Sequence, residues 1–317
     1  MKKYYSSIFL FFLIALAFFL INSQSDKEIN DVEYEKVFQN KYSIFSISIP
    51  DEMYFAGEKV PLEYFDVKEA FDRELLVNTY WQSQTLLFLK RANKYFPVIE
   101  QILAENNIPD DFKYIALVES ELKNVVSPSG AVGVWQLLKG TAKDYDLEVN
   151  NEVDERYHLE KSTEAACGFI KDAHELFGTW TMAAAAYNVG RKGLMQQVNR
   201  QKQDNYYDLL LNEETGRYVY RILAIKLILE NPDKYGFHVR EQDLYFDNPT
   251  YDIQVDTSVS DFADFASKFD INYKLLKYFN PWLRDSFLTN KLGKKYYIRI
   301  PKESRDFSTQ IDTTNVD

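Results

Sequence analysis

The chain is 317 residues long and 46% hydrophobic, with 23 Tyr and 23 Phe, a composition that argues against disorder and leaves room for one large domain plus a smaller one. A formal net charge of −11, with no run of Lys and Arg to interrupt it, would repel phosphate backbones and argues against nucleic acid as a partner. One cysteine, Cys167, and three scattered histidines, His158, His174 and His238, permit no internal disulfide and give no metal-ligand spacing, so neither a metal nor a cofactor is expected.

Met1-Lys2-Lys3 and the uncharged apolar run from Ile8 to Ile21 have the form of an export signal, too short for a full membrane span. Cleavage after Ser23 is one reading of residues 1–23 and an uncleaved anchor, associating the protein with a membrane, is the other. The expected location is exported, periplasmic or attached to the cell envelope. Residues 24–75 are mixed in character and read as an N-terminal extension folded onto the main domain. Apolar residues then recur at three and four spacings, as in Val98, Ile99, Ile102, Leu103, which predicts a mainly α domain over 76–245. Asn231-Pro232-Asp233 and Asp247-Asn248-Pro249 punctuate the chain as a turn-rich linker. Over 251–302, alternation at Tyr251, Ile253 and Val255, a helical stretch through Phe262, Phe265 and Phe269, and the run Tyr296 to Pro301 predict a separate small α+β module. Residues 303–317 form a polar tail.

Three pieces of the helical region carry chemistry. A helix beginning at Pro109-Asp110-Asp111 places Phe112, Ile115, Ala116, Glu119 and Leu122 on one face. A carboxyl group in that apolar stripe should have a raised pKa, as a general acid at neutral pH requires. On position alone, the commoner role for such a residue is a core glutamate paired to an arginine or capping a backbone group. Next comes Ser127-Pro128-Ser129-Gly130-Ala131-Val132-Gly133-Val134-Trp135-Gln136, a small-residue turn that lets backbone approach a ligand before Gln136 is presented. Further on, Ala183-Ala184-Ala185-Ala186-Tyr187-Asn188-Val189-Gly190 reads as a tightly packed helix stopped by glycine, with Tyr187 and Asn188 at its end. Asp144, Asp146, Asp154 and Glu155 are expected to be solvated loop carboxylates.

In this order, Val118-Glu119-Ser120, the Ser127 to Gln136 segment, Ala186-Tyr187-Asn188-x-Gly190 and Glu214-Thr215-Gly216-Arg217-Tyr218-Val219 resemble the lytic transglycosylases with a soluble-transglycosylase catalytic domain, especially the membrane-bound subfamily carrying LysM repeats. The resemblance spans roughly residues 95–235 and implies a lysozyme-like helical domain that cleaves peptidoglycan glycan strands. It implies Glu119 as the catalytic residue, Ser127 as a hydroxyl near the leaving oxygen, and Gln136, Tyr187, Asn188 and Tyr218 as groups around the flanking sugars. Trp135 stands where many relatives carry Met, Leu138-Lys139-Gly140-Thr141 replaces a Met-Pro-x-Thr run, and Arg217 is displaced by one position. Tyr251-x-Ile253-x-Val255-x-Thr257, Asn280-Pro281 and Ile300-Pro301 resemble a LysM module, implying binding of N-acetylglucosamine-containing glycans, although the turn after Val255 lacks the usual Gly-Asp. Hydrolysis by water, as in goose-type lysozymes, and a non-catalytic cell-wall glycan-binding protein are the two alternatives.

Overall fold

The computed structural model describes residues 45–302, together with Val32 and Lys36. The expected signal or anchor over 1–23 and the tail over 303–317 lie outside the described residues. The chain divides into two compact units, Met1–Ser46 and Ile47–Asp317, and both the helical domain and the C-terminal module belong to the second.

A small hairpin of β1 (Tyr54–Phe55) and β2 (Glu58–Lys59) opens the described chain. Its two central residues, Ala56 and Gly57, both have positive φ, at 51° and 81°, the mirror-image turn that matches strand twist. The Ala56 N–H donates to the Asp111 carboxylate at 2.6 Å, which fixes this otherwise costly alanine. Then come α1 (Phe65–Tyr80), α2 (Gln82–Glu105), a 3-10 turn (Asp110–Phe112) running into α3 (Lys113–Ser120), and α4 (Lys139–Asp144). The domain is completed by α5 (Leu159–Phe177), α6 (Trp180–Val189), α7 (Arg191–Gln201) and α8 (Glu213–Glu230).

The centre of the domain is α6, which packs against α5, α7 and α8. Ala183 through Ala186 are all fully buried, because methyl side chains let neighbouring helices approach from several sides at once. Its N-terminus is held by the first hairpin: Glu58 accepts from the backbone N–H groups of Trp180 (2.6 Å) and Thr181 (2.9 Å) and from the Thr181 hydroxyl (2.6 Å). A carboxylate there satisfies free N–H groups and complements the helix dipole. Residues 53–75 therefore do more than extend the domain. Met53, Phe55, Val60, Val67, Phe71 and Leu75 sit in the same hydrophobic core as α5, α6 and α8, and α1 packs along α8.

In the C-terminal module, β3 (Thr250–Val255) pairs antiparallel with β4 (Tyr296–Pro301), setting Ile253 opposite Ile298 and Val255 opposite Tyr296. Between them lie α9 (Phe262–Ser267), capped by Asp261, and α10 (Tyr273–Phe279), capped by Asn272. The side chain of the buried Asn280 donates to the carbonyls of Leu276 and Arg299 and accepts from the Arg299 N–H. Asn280 thus locks the end of α10 to β4 with its polar atoms satisfied.

The module is docked rather than loosely tethered. Its core of Phe262, Leu283, Ile298 and Ile300 also takes in Val132, Val153 and Tyr157 from the helical domain. Val153 pairs with Leu283 as an antiparallel bridge, and the Arg284 guanidinium lies 4.0 Å from the centre of the Tyr157 ring. Among the described residues no helix is long and apolar enough to cross a membrane.

Candidate active site

Glu119 sits in the last turn of α3. The helix stops one residue later because Glu121 and Leu122 both turn left-handed, with φ of 58° and 57°. Leu122, expected to share the helical face of Glu119, consequently lies past the helix end, although it is buried. Two consecutive non-glycine residues in this region are strained. Arg91 holds the bend by donating to the Glu121 carbonyl at 3.2 Å and to its carboxylate at 3.3 Å.

Burial pushes the Glu119 carboxyl up to about 7, with the nearby Glu214 carboxylate adding to the rise. The Tyr218 hydroxyl, donating to Glu119 Oε1 at 2.6 Å, and the more distant charge of Arg221 act in the opposite direction. The negative end of the α3 dipole also disfavours a carboxylate at this position. Glu119 is thereby poised to hold or release a proton near neutral pH. Tyr218 is itself buried, and burial beside Glu119 raises its hydroxyl well above the ordinary tyrosine range, so it stays a donor.

The loop from Val125 to Leu137 packs over the end of α3. Ser120 donates its hydroxyl to the Val134 carbonyl at 2.7 Å, and the Tyr187 hydroxyl donates to the Trp135 carbonyl at 2.7 Å. Trp135 is wholly buried and donates its indole N–H to Thr163 at 2.7 Å. It anchors the loop from beneath, so the change from the common Met does not reshape an exposed wall. Leu138, Lys139 and Gly140 face solvent. Gln136 has φ of 49° and spends its amide nitrogen on the carbonyls of Gly133 (2.7 Å) and Val125 (3.1 Å). Ser127 accepts from the Ala131 N–H at 3.0 Å and lies 2.9 Å from the Ser129 hydroxyl.

Tyr187 and Asn188 occupy the end of α6, where Gly190 stops the helix with φ of 79°. Asn188 accepts from the Thr215 hydroxyl at 2.8 Å, tying α6 to the first turn of α8, which carries Tyr218 four residues beyond Glu214. Glu119, Tyr187 and Tyr218 are thus brought together: besides burial, the Glu119 carboxylate raises both tyrosine hydroxyls. Ser127 and Gln136 are joined to this group through the loop's anchors at Ser120 and Tyr187.

Arg217 points away from Glu119, toward Glu74 on α1, at 2.7 Å. Arg73 and Arg221 converge on the same buried carboxylate. Sequence reasoning missed Glu74, although Val67, Phe71, Glu74, Leu75 and Asn78 show the same apolar-stripe spacing that singled out Glu119. The expectation of solvated carboxylates holds for Asp144 and Asp146, which are exposed, although Asp144 is the last residue of α4 rather than a loop residue. It fails for Asp154 and Glu155: both are buried, the former paired with Arg156 at 2.7 Å and the latter with Lys161. Both side chains are thus engaged in buried ion pairs rather than solvated.

Comparison with known proteins places two families on the chain. Residues 96–210 match the transglycosylase SLT domain, and residues 251–304 match the soluble lytic transglycosylase C-terminal LysM-like domain. The membrane-bound lytic murein transglycosylase D of Escherichia coli strain K12 is 27% identical over 261 residues, covering 80% of this chain and 56% of that protein. The protein of the same name from Escherichia coli O6:H1 matches equally. The chain thus spans little more than half the length of the curated relatives it matches. The crystal structure of the 70 kDa soluble lytic transglycosylase from Escherichia coli is similar over 55% of this chain and 32% of that one, at 17% identity and a TM-score of 0.40, too low a likeness to carry an argument. Glu74, Thr215 and Tyr218 lie outside both matched spans.

Proposed function

We propose, from the premise that this chain is a lytic transglycosylase family member with an SLT domain and a C-terminal LysM-like domain, that it cleaves peptidoglycan glycan strands between N-acetylmuramic acid and N-acetylglucosamine. The observation that carries this proposal is one carboxyl group, Glu119, raised to about 7 and met by the Tyr218 hydroxyl at 2.6 Å. In its protonated form Glu119 delivers a proton to the glycosidic oxygen. As the resulting carboxylate it takes the proton from the 6-hydroxyl of the same muramic acid, which closes onto the anomeric carbon and leaves a 1,6-anhydro ring. An internal nucleophile has a high effective concentration, so no second carboxylate is needed to activate water.

Ser127, Gln136, Tyr187, Asn188 and Tyr218 are assigned to the sugars flanking the scissile bond. The direct contact with Glu119 belongs to Tyr218, and Tyr187 supports it from α6 by gripping the loop at Trp135. The LysM-like module over 251–302 is assigned to glycan binding, and the helical domain over 76–245, together with the residues 53–75 that complete its core, to cleavage. The N-terminal segment over 1–23 is assigned to export to the cell envelope, with membrane association through that segment if it is retained.

Mass spectrometry of digested sacculi tests the reaction. The expected muropeptides end in 1,6-anhydro-N-acetylmuramic acid and are lighter by one water than hydrolytic products. Reducing ends as the main product would instead favour the lysozyme alternative, with exposed Glu214 the neighbouring carboxylate to substitute first. A protein that binds sacculi and releases nothing would favour the non-catalytic alternative.

A further inference from the structure

We infer that the C-terminal module braces the catalytic loop through Asp154 and Arg156, which makes Arg156 a positioning residue for the segment carrying Ser127 and Gln136. The inference rests on the proposed function in taking that loop as catalytic.

The segment from Glu152 to Arg156 lies between the module and the loop. On the module side the Asp154 N–H donates to the Trp282 carbonyl at 2.9 Å, the Arg284 N–H donates to the Glu152 carbonyl at 2.7 Å, and Val153 pairs with Leu283. On the loop side the Arg156 guanidinium reaches two carbonyls, Gly130 at 3.1 Å and Leu137 at 3.2 Å. Its other nitrogens grip both Asp154 carboxylate oxygens, at 2.9 and 2.7 Å. Both residues are buried, so the fork is shielded from water and its geometry is over-determined. Two further contacts press the same surfaces together. A Cβ on Gly133 would fall 2.0 Å from the Arg156 carbonyl oxygen, so the loop backbone lies directly on that of residue 156. Val132 packs into the module's own hydrophobic core. A shift of the module is therefore transmitted to both ends of the turn between Gly130 and Leu137.

The test uses the full chain labelled with 5-fluorotryptophan, together with steady-state kinetics on a soluble peptidoglycan glycan. Lysine keeps the charge of Arg156 but cannot hold two carbonyls and both carboxylate oxygens. Arg156→Lys should lower kcat by about ten- to a hundredfold, the scale of a misplacement near 1 Å, with KM little changed. Phe262→Leu, a module-core change away from the fork, should lower the Tm without that loss of kcat. In the fluorine spectrum, Leu283→Ala should move the Trp135 resonance, and in the Arg156→Lys background it should move it less, because only the Val132 and Gly133 contacts remain. A Trp135 resonance indifferent to Leu283→Ala, or a folded Arg156→Lys protein with wild-type kcat, would overturn the brace. A wild-type protein inert on glycans yet showing the Leu283-to-Trp135 coupling would overturn the proposed function and leave the brace supported.

Discussion

Glu119 and Glu74 are both carboxylates in apolar helical stripes, and their neighbours separate their roles. Three arginines converge on Glu74, which holds α1 to α8 as a charge. Glu119 meets a neutral hydroxyl, so burial dominates and its proton is held to about 7. Glu119→Gln should retain glycan binding and lose at least about 10² to 10⁴ in kcat, read on soluble glycans. The same group sets a stability prediction. Its folded pKa is raised from 4.5 to about 7, so between those values the folded protein binds more protons than the unfolded one, and stability falls as pH rises through that window. Glu119→Gln should therefore be the more stable protein at pH 8, by about 1–3 kcal/mol in urea melts, with the difference vanishing toward pH 4.5. Tyr218→Phe removes a donor that favours the carboxylate. Glu119 should then titrate higher, and the alkaline limb of the kcat profile should move up by about one pH unit, the worth of about 1.4 kcal/mol from a charge-assisted hydrogen bond. An alkaline limb that stays in place would mean that another group sets it.

Among the elements, α6 was the most legible. Its alanine run, its stop at Gly190 and the placing of Tyr187 and Asn188 at its end all follow from local chemistry. Its N-terminal anchor was not legible, because Glu58 lies 122 residues before Trp180. Glu58→Ala leaves the first N–H groups of α6 without their acceptor and should cost about 1–2 kcal/mol in chemical denaturation, the scale of a lost helix cap. An unchanged midpoint would show that solvent replaces Glu58 fully. The end of α3 departs from the sequence pattern for a related reason. The pattern Phe112, Ile115, Ala116, Glu119, Leu122 continues the helical period, whereas the backbone turns left-handed at Glu121 and Leu122 and is held there by Arg91 from α2.

Across the whole molecule, the module is continuous with the helical domain through a shared core. Truncation after Asn248 would bare Val132, Val153 and Tyr157 and remove the partners of Glu152 and Asp154. Full burial of a large apolar side chain is worth about 1.5–3 kcal/mol, so the truncated protein should melt several degrees lower than the full chain in calorimetry, besides sedimenting less with cell walls. Equal melting of the helical domain with and without the module would contradict the docking.

Local pattern suffices for a mainly helical domain, the apolar face that carries Glu119, the glycine-stopped helix of Tyr187 and the strand-helix-helix-strand module, because periodicity, caps and turns act over a few residues. Contacts between distant segments supply the rest. Tertiary structure gave Glu74 three arginine partners and Glu119 a tyrosine hydroxyl, a difference that the shared apolar spacing does not carry. It buried Asp154 and Glu155, whose loop setting alone suggested solvent. It also drew the hairpin at residues 54–59 and the C-terminal module onto the helical domain, because burial and pairing between distant segments are settled only when the chain has closed on itself.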